Sequence, residues 1–235
     1  MTKNEVLQEL ELLGTAQTKK IYQRHGAREP FFGVKVGNLK KIQKKIKKDH
    51  PLALALYESE NSDAMYLAGL IADPSQMTMK DLDRWVKKAY WYMLSEYTVA
   101  WVAAESKIGY KAAIKWIDAK EEMIAAAGWA TLSSILAIRD DATLEVPTLQ
   151  KLLTKVEKEI HQAQNRVRYT MNGFIIAVGS YVAALTQEAL QVAQKVGTVK
   201  VDMGETSCKV PLASAYIKKV QIRGGIGKKK RQARC

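Results

Sequence analysis

Apolar residues recur at three- and four-residue intervals along nearly the whole of this 235-residue chain, and strict alternation is scarce. A 3.6-residue period held over such a length points to an all-α fold. The pattern predicts helices over 3–13, 17–24, 38–48, 51–58, 62–72, 78–92, 95–106, 109–118, 120–138, 145–160, 163–180, 186–195 and 211–221. Thr78, Thr186 and Pro211 supply start signals for three of them. Links are mostly two to six residues; the exception is 196–210, where Val199 and Val201 predict a brief extended stretch. Many short helices with tight links favour an α-solenoid of stacked antiparallel pairs over a four-helix bundle. Such a stack offers a concave groove that suits a rod-shaped ligand.

Composition narrows the class. Fourteen Gly and five Pro argue against collagen-like, linker-rich and disordered chains. The uncharged runs 123–138 and 169–187 are too short, or too interrupted by polar residues, to read as spans of about 20 residues. No apolar export segment opens the chain, and Cys208 and Cys235 cannot build a disulfide framework, so a cytoplasmic protein is expected.

The net charge of +13 is unevenly placed. Residues 1–50 carry 12 basic and 5 acidic groups, residues 51–194 carry 14 and 17, and residues 195–235 carry 11 and 2. The two ends supply all the excess, which suggests a polyanionic partner, nucleic acid ahead of a membrane surface. In 38–48, Leu39, Ile42 and Ile46 share one helical face while Lys40, Lys41, Lys44, Lys45, Lys47 and Lys48 cover the rest. The second cluster, Lys228, Lys229, Lys230 and Arg231, lies behind three glycines and reads as a mobile tail, giving a domain over 1–225 and a basic tail over 226–235.

Several chemistries find no support. The three His are isolated and no Cys-x-x-Cys occurs, so neither a metal nor a cofactor is expected. The Gly-Gly-Ile-Gly-Lys-Lys-Lys run lacks the Ser or Thr of a phosphate loop, and no dinucleotide fingerprint or nucleophile elbow is present. Two constellations remain. Trp85, Tyr90, Trp91, Tyr92, Tyr97 and Trp101 crowd into seventeen residues, with Tyr97 and Trp101 at i, i+4 and Glu105 one turn on; these rings either stack on a base or fill the core. In 165–179, Asn165, Arg168, Asn172 and Gly179 form a narrow polar stripe, suited to phosphate or base contact or to hydrogen bonds between helices.

The segments Ile21–Gly26 with Phe32-Gly33-Val34, the NRVRYTMNGFIIAVGSYV stretch and the MGETSCKVP run (203–211) resemble the AlkD-like DNA alkylation repair family over about residues 3–225. The resemblance implies HEAT-like helical repeats curving around duplex DNA. Active members cleave the N-glycosidic bond of cationic alkylpurines without metal or cofactor, using aromatic side chains and a carboxylate against the sugar, with the base left unflipped. The matching aromatic and acid positions are Tyr97 and Trp101, so an aromatic stands where the Asp is expected. The Arg of the next repeat falls within Ile124–Gly128, and a later Trp is Phe174. Glu105 is the candidate substitute carboxylate. The expectation is a monomeric, nucleoid-associated DNA-binding protein, weak or inactive in base excision, that recognises duplex, distorted or branched DNA through its backbone. Phosphate contacts are expected from Lys40, Lys41, Lys44, Lys47, Asn165, Arg166, Arg168, Asn172, Lys209 and Lys228 to Arg231, with Tyr97, Trp101 and Phe174 facing base or sugar. The alternatives are an active alkylpurine glycosylase and a helical-repeat protein-interaction scaffold.

Overall fold

The computed structural model describes residues 1–234. In chain order the helices are α1 (Lys3–Leu13), α2 (Ala16–Arg24), α3 (Val36–Ile46), α4 (His50–Tyr57), α5 (Ser62–Ile71), α6 (Met79–Lys88), α7 (Ala100–Glu105), α8 (Gly109–Trp116), α9 (Glu122–Ile138), α10 (Val146–Glu159), α11 (Asn165–Tyr181), α12 (Thr186–Val196) and α13 (Ala213–Ile222). A π-helical segment, Met93–Val99, runs directly into α7. Among the described residues there is no strand, only an isolated bridge between Gly14 and Val34, so the extended stretch expected at 199–201 does not pair. No single helix is long and apolar enough to cross a membrane.

Local chemistry sets many of the boundaries. Thr2 with Glu5, and Thr78 with Asp81, form reciprocal capping boxes on α1 and α6. Asp49 ends the lysine-rich α3 region and caps α4, accepting from Leu52 N at 3.0 Å. Thr186 does not cap α12 as expected; its hydroxyl donates back to Gly179 O at 3.0 Å. The helix expected over 78–92 stops at Lys88, and a new one starts near Trp91, whose carbonyl accepts from Leu94 N and Ser95 N.

From α4 onward the helices form antiparallel pairs in two layers. One layer is α5, the π segment with α7, α9, α11 and α13, each packed on the next, and α4, α6, α8, α10 and α12 back them. Close approach needs small residues at the crossings. A Cβ on Gly109 would stand 1.7 Å from Ala103 O, and one on Gly179 would stand 2.5 Å from Ile217 Cδ1. Trp85, Trp116, Trp129 and Phe174 are fully buried; Trp85 stacks on Tyr57 at 4.0 Å, and Phe174 meets Trp129 edge-on at 5.1 Å.

The Phe32-Gly33-Val34 motif has a structural purpose. Buried Asp63, at the start of α5, accepts from the backbone N–H of all three residues at 2.6, 2.9 and 3.1 Å. Gly33 has φ +79°, and a Cβ there would strike Lys19 N at 2.6 Å, so the turn requires glycine. Burial pushes the Asp63 carboxyl up, and the three N–H donors oppose that.

The basic C-terminal segment is not a free tail. Gly227 N donates to Ser180 O and Lys230 N to Ala137 O, at 2.9 and 2.7 Å. Lys229 Nζ reaches Tyr181 O and Leu136 O at 2.8 and 2.9 Å and pairs with Asp141. Ala233 N and Arg234 take the two oxygens of Glu105, and Arg234 also donates to Leu70 O at 2.7 Å. The segment is a strap across the C-terminal ends of α11, α9, α7 and α5 in turn. Those ends carry carbonyls with no partner inside their helices and the negative pole of the helix dipole, which cationic side chains and N–H groups complement.

Candidate nucleic-acid interface

The strap joins charges that are far apart in the sequence. Lys44, Lys47 and Lys48 of the α3 region line one cleft with Gln232 and Arg234 of the strap. Gln43 Nε2 and Arg234 both donate to Leu70 O, at 3.2 and 2.7 Å. The two basic ends of the chain thus meet at the C-terminus of α5. Lys41, Lys44 and Lys47 are exposed and Lys40 is half-buried; Lys228, Lys230 and Arg231 are exposed, whereas Lys229 is held by carbonyls and Asp141. Lys209 is exposed in the 202–211 loop, apart from this cluster in sequence.

Beside the strap lies a cleft of about 450 Å³. Two helices floor it with mostly small residues at i, i+3, i+4 and i+7: Ala130, Ser133, Ser134 and Ala137 of α9, and Gly173, Ile176, Ala177 and Ser180 of α11. Tyr97, Trp101 and Tyr169 supply aromatic walls. The expected pairing of Tyr97 with Trp101 is present, ring centroids 5.4 Å apart and nearly perpendicular, and Trp101 is 8% exposed.

Glu96, which the sequence pattern did not single out, is the carboxylate of this cleft. It is 6% exposed and held by Arg166 in a two-pronged pair, Nε to Oε1 at 2.7 Å and Nη2 to Oε2 at 2.6 Å. The Arg166 guanidinium sits 4.7 Å from the Tyr92 ring centroid and 4.4 Å from that of Tyr169. Burial pushes the Glu96 carboxyl up to about 6 against the pull of Arg166. Burial also raises Tyr92 to about 12 and drives Tyr97 higher still. A folded-state value above the ordinary 4.5 means that the folded protein binds this proton more tightly. Stability contributed by this group is full below about pH 4.5 and is lost as pH rises through about 6. Carboxyl-carbon NMR is expected to show Glu96 titrating near pH 6, and a midpoint below 4 would contradict the assignment.

Several expected contacts are turned inward. Arg166 is buried in its pair with Glu96 and so does not face phosphate. Asn165 brackets Asp202, donating to its carbonyl at 2.8 Å and accepting from its N–H at 2.7 Å. Asn172 is buried and donates to Pro211 O at 2.9 Å. The polar stripe of α11 therefore grips the 202–211 loop, which brings two of the resemblance motifs together. Arg168 is half-buried, with Nη2 3.5 Å from Asn165 Oδ1. Phe174 lies in the core rather than on a groove. Glu105 does not line the cleft; both its oxygens are used by the strap. Among the described residues no three His, Cys, Asp or Glu side chains cluster as metal ligands do.

Paired helices in two layers, with cationic groups gathered along one edge, define a HEAT-like repeat protein. The chain aligns over its full length with a solved structure described as "a new family of proteins related to the HEAT-like repeat DNA glycosylases with affinity for branched DNA structures", at a TM-score of 0.92 and 41% identity, covering 100% of both chains. Residues 6–209 match the family described as DNA alkylation repair enzyme, and the chain belongs to that family. It is also 34% identical over 221 residues to the uncharacterized proteins Lin0241 of Listeria innocua and Lmo0209 of Listeria monocytogenes, in each case covering 92% of this chain and 95% of the relative.

Proposed function

We propose that the protein binds DNA as a monomer on the nucleoid, through the phosphate backbone, and prefers branched or distorted DNA over plain duplex. The observation that carries this reading is the meeting of the α3 lysines with the strap, which turns two separate basic segments into one edge. The branched-DNA affinity of the structurally similar family supports the preference. Base excision is weak or absent on this reading. Cleaving a cationic purine builds positive charge on the sugar, and a free carboxylate must stabilise it. Glu105 is committed to the strap and Glu96 to Arg166. Any residual excision would use Glu96, the acid that lines the aromatic cleft.

The test is a salt titration of binding to a four-way junction and to a duplex of the same length, with methylated duplex assayed alongside for free methylpurine. Six to ten phosphate contacts would cut affinity by roughly 10³–10⁵ between 50 and 200 mM salt. The junction should bind more tightly, and no methylpurine should appear. A salt slope near zero removes the DNA reading, equal affinities remove the branched preference, and released base restores the glycosylase.

A further inference from the structure

The cleft between the end of α3 and the strap holds more positive charge than the helix ends there require. At the C-terminus of α5, Ala68 O accepts from Ala72 N and Ile71 O from Asp49 N. Gly69 O and Leu70 O accept from Arg234, and Leu70 O accepts from Gln43 as well. The last carbonyls of α5 are thus partnered, and Arg234 is spent on two of them and on Glu105. Lys45 pairs with Glu9, and Lys48 stands 3.9 Å from Asp73. Lys44 and Lys47 have no acidic partner among the described residues, and no described carboxylate lines the cleft. Like charges gathered in a recess of about 550 Å³ repel one another until an anion enters.

Lys47 keeps its side chain at a conformational cost. α3 closes on Lys47 with φ 65° and ψ −124°, and α12 closes in nearly the same way on Gly197, with φ 63° and ψ −138°. A Cβ is disfavoured in this region, so glycine is its usual occupant. Strain of this kind persists where a residue clamps a ligand. An unpaired lysine in a glycine's conformation, lining a cationic recess, fits a residue retained for what it binds.

A phosphate within a duplex strand carries one charge and lies on the outer ridge of the helix, where exposed lysines reach it without a cleft. A phosphomonoester carries about 1.5–2 negative charges near neutral pH and three acceptor oxygens. At a strand end it projects past the last stacked base and can enter a recess. We propose that the cleft between α3 and the strap seats the terminal phosphate of a DNA strand end, with Lys44, Lys47 and Lys48 as its partners, a proposal that rests on the DNA-binding reading above. Nicks and gaps expose such ends, so the cleft adds strand breaks to the distorted DNA held along the basic edge.

Binding of the full chain would be measured by fluorescence anisotropy to three forms of one gapped duplex, its gap bounded by a 5′-phosphate, by a 3′-phosphate or by hydroxyls alone. The wild-type protein is expected to prefer a phosphorylated end to the hydroxyl form by about tenfold. Lys47→Gly should bring that ratio to about one while its Tm equals or exceeds the wild-type value, because glycine relieves the positive φ. Lys44→Met, which keeps the length of the side chain and removes its charge, should lower the ratio as well. Equal wild-type affinities for the three forms, with salt-dependent binding retained, overturn this proposal alone. So does a preference that persists in both variants, and a Tm lowered by Lys47→Gly overturns the reading of Lys47 as retained for a ligand. Inorganic phosphate that raises the Tm at matched ionic strength, while the three duplexes bind alike, would assign the cleft to free phosphate and overturn the strand end. Absence of binding to any of the duplexes overturns the DNA reading, and the proposal with it.

Discussion

Replacing Arg166 with alanine is expected to destabilise the protein by about 3–5 kcal/mol, because it leaves Glu96 buried without its partner. The same change removes a guanidinium packed between the Tyr92 and Tyr169 rings. For a chain of this size each kcal/mol is worth roughly 2–4 °C in Tm, so thermal unfolding should shift down by about 6–20 °C. The double variant Arg166→Met with Glu96→Gln should recover most of the loss, since neither side chain then strands a charge. A shift of 2 °C or less in the single variant would mean that the pair is not the buried, dry contact described here.

Truncation after Gly227 should produce the largest change in DNA binding. It removes Lys228, Lys230 and Arg231, the three exposed cations of the strap, together with the anchors Lys229 and Arg234. If each exposed cation neutralises one phosphate, the log–log salt slope should flatten by about 2–3, since each contact contributes about 0.9. Affinity at moderate salt should fall by roughly two orders of magnitude, measured at a temperature where the truncated chain is folded. An unchanged slope would move the contact surface away from the strap. A structural penalty is expected too, because Glu105 loses Ala233 and Arg234 while Leu136, Ala137, Leu70 and Tyr181 lose donors to their carbonyls.

The helical architecture was legible because burial of one face leaves a 3.6-residue period: α9 begins at Glu122 and α11 at Asn165, within two residues of expectation, whereas 78–106 breaks after Lys88 and resumes as a π-helical segment running into α7. The strap was not legible. Its donors go mainly to main-chain carbonyls, which every residue carries, so no side-chain pattern announces the contact. A glycine-spaced cationic run has the same composition whether solvated or docked. Glu96 escaped for a different reason. Glu96 adjoins Tyr97, about a quarter turn away on a helical wheel, so the face read through Tyr97 and Trp101 leaves it out, although both residues line the cleft from the π-helical Met93–Val99 segment. Arg166 reads as exposed in the sequence because arginine is seldom buried without a partner, and that partner lies seventy residues away. The motifs around 21–34, 165–182 and 203–211 were recognisable as a set. Their joint purpose, α11 holding the 202–211 loop and Asp63 holding the 32–34 turn, needed coordinates.

Repeat arrays change shape by adding small rotations between neighbouring units, like a rope ladder whose rungs fan apart. In this protein the ladder is lashed at both sides. The strap is fastened at the ends of α11, α9, α7 and α5, so those rungs hold a set spacing along that margin, and near the opposite ends Arg166 ties the start of α11 to Glu96 of the π segment and to Glu122 of α9. With ties at both ends, these rungs resist fanning from either margin, and a change in curvature has to break one set of fastenings.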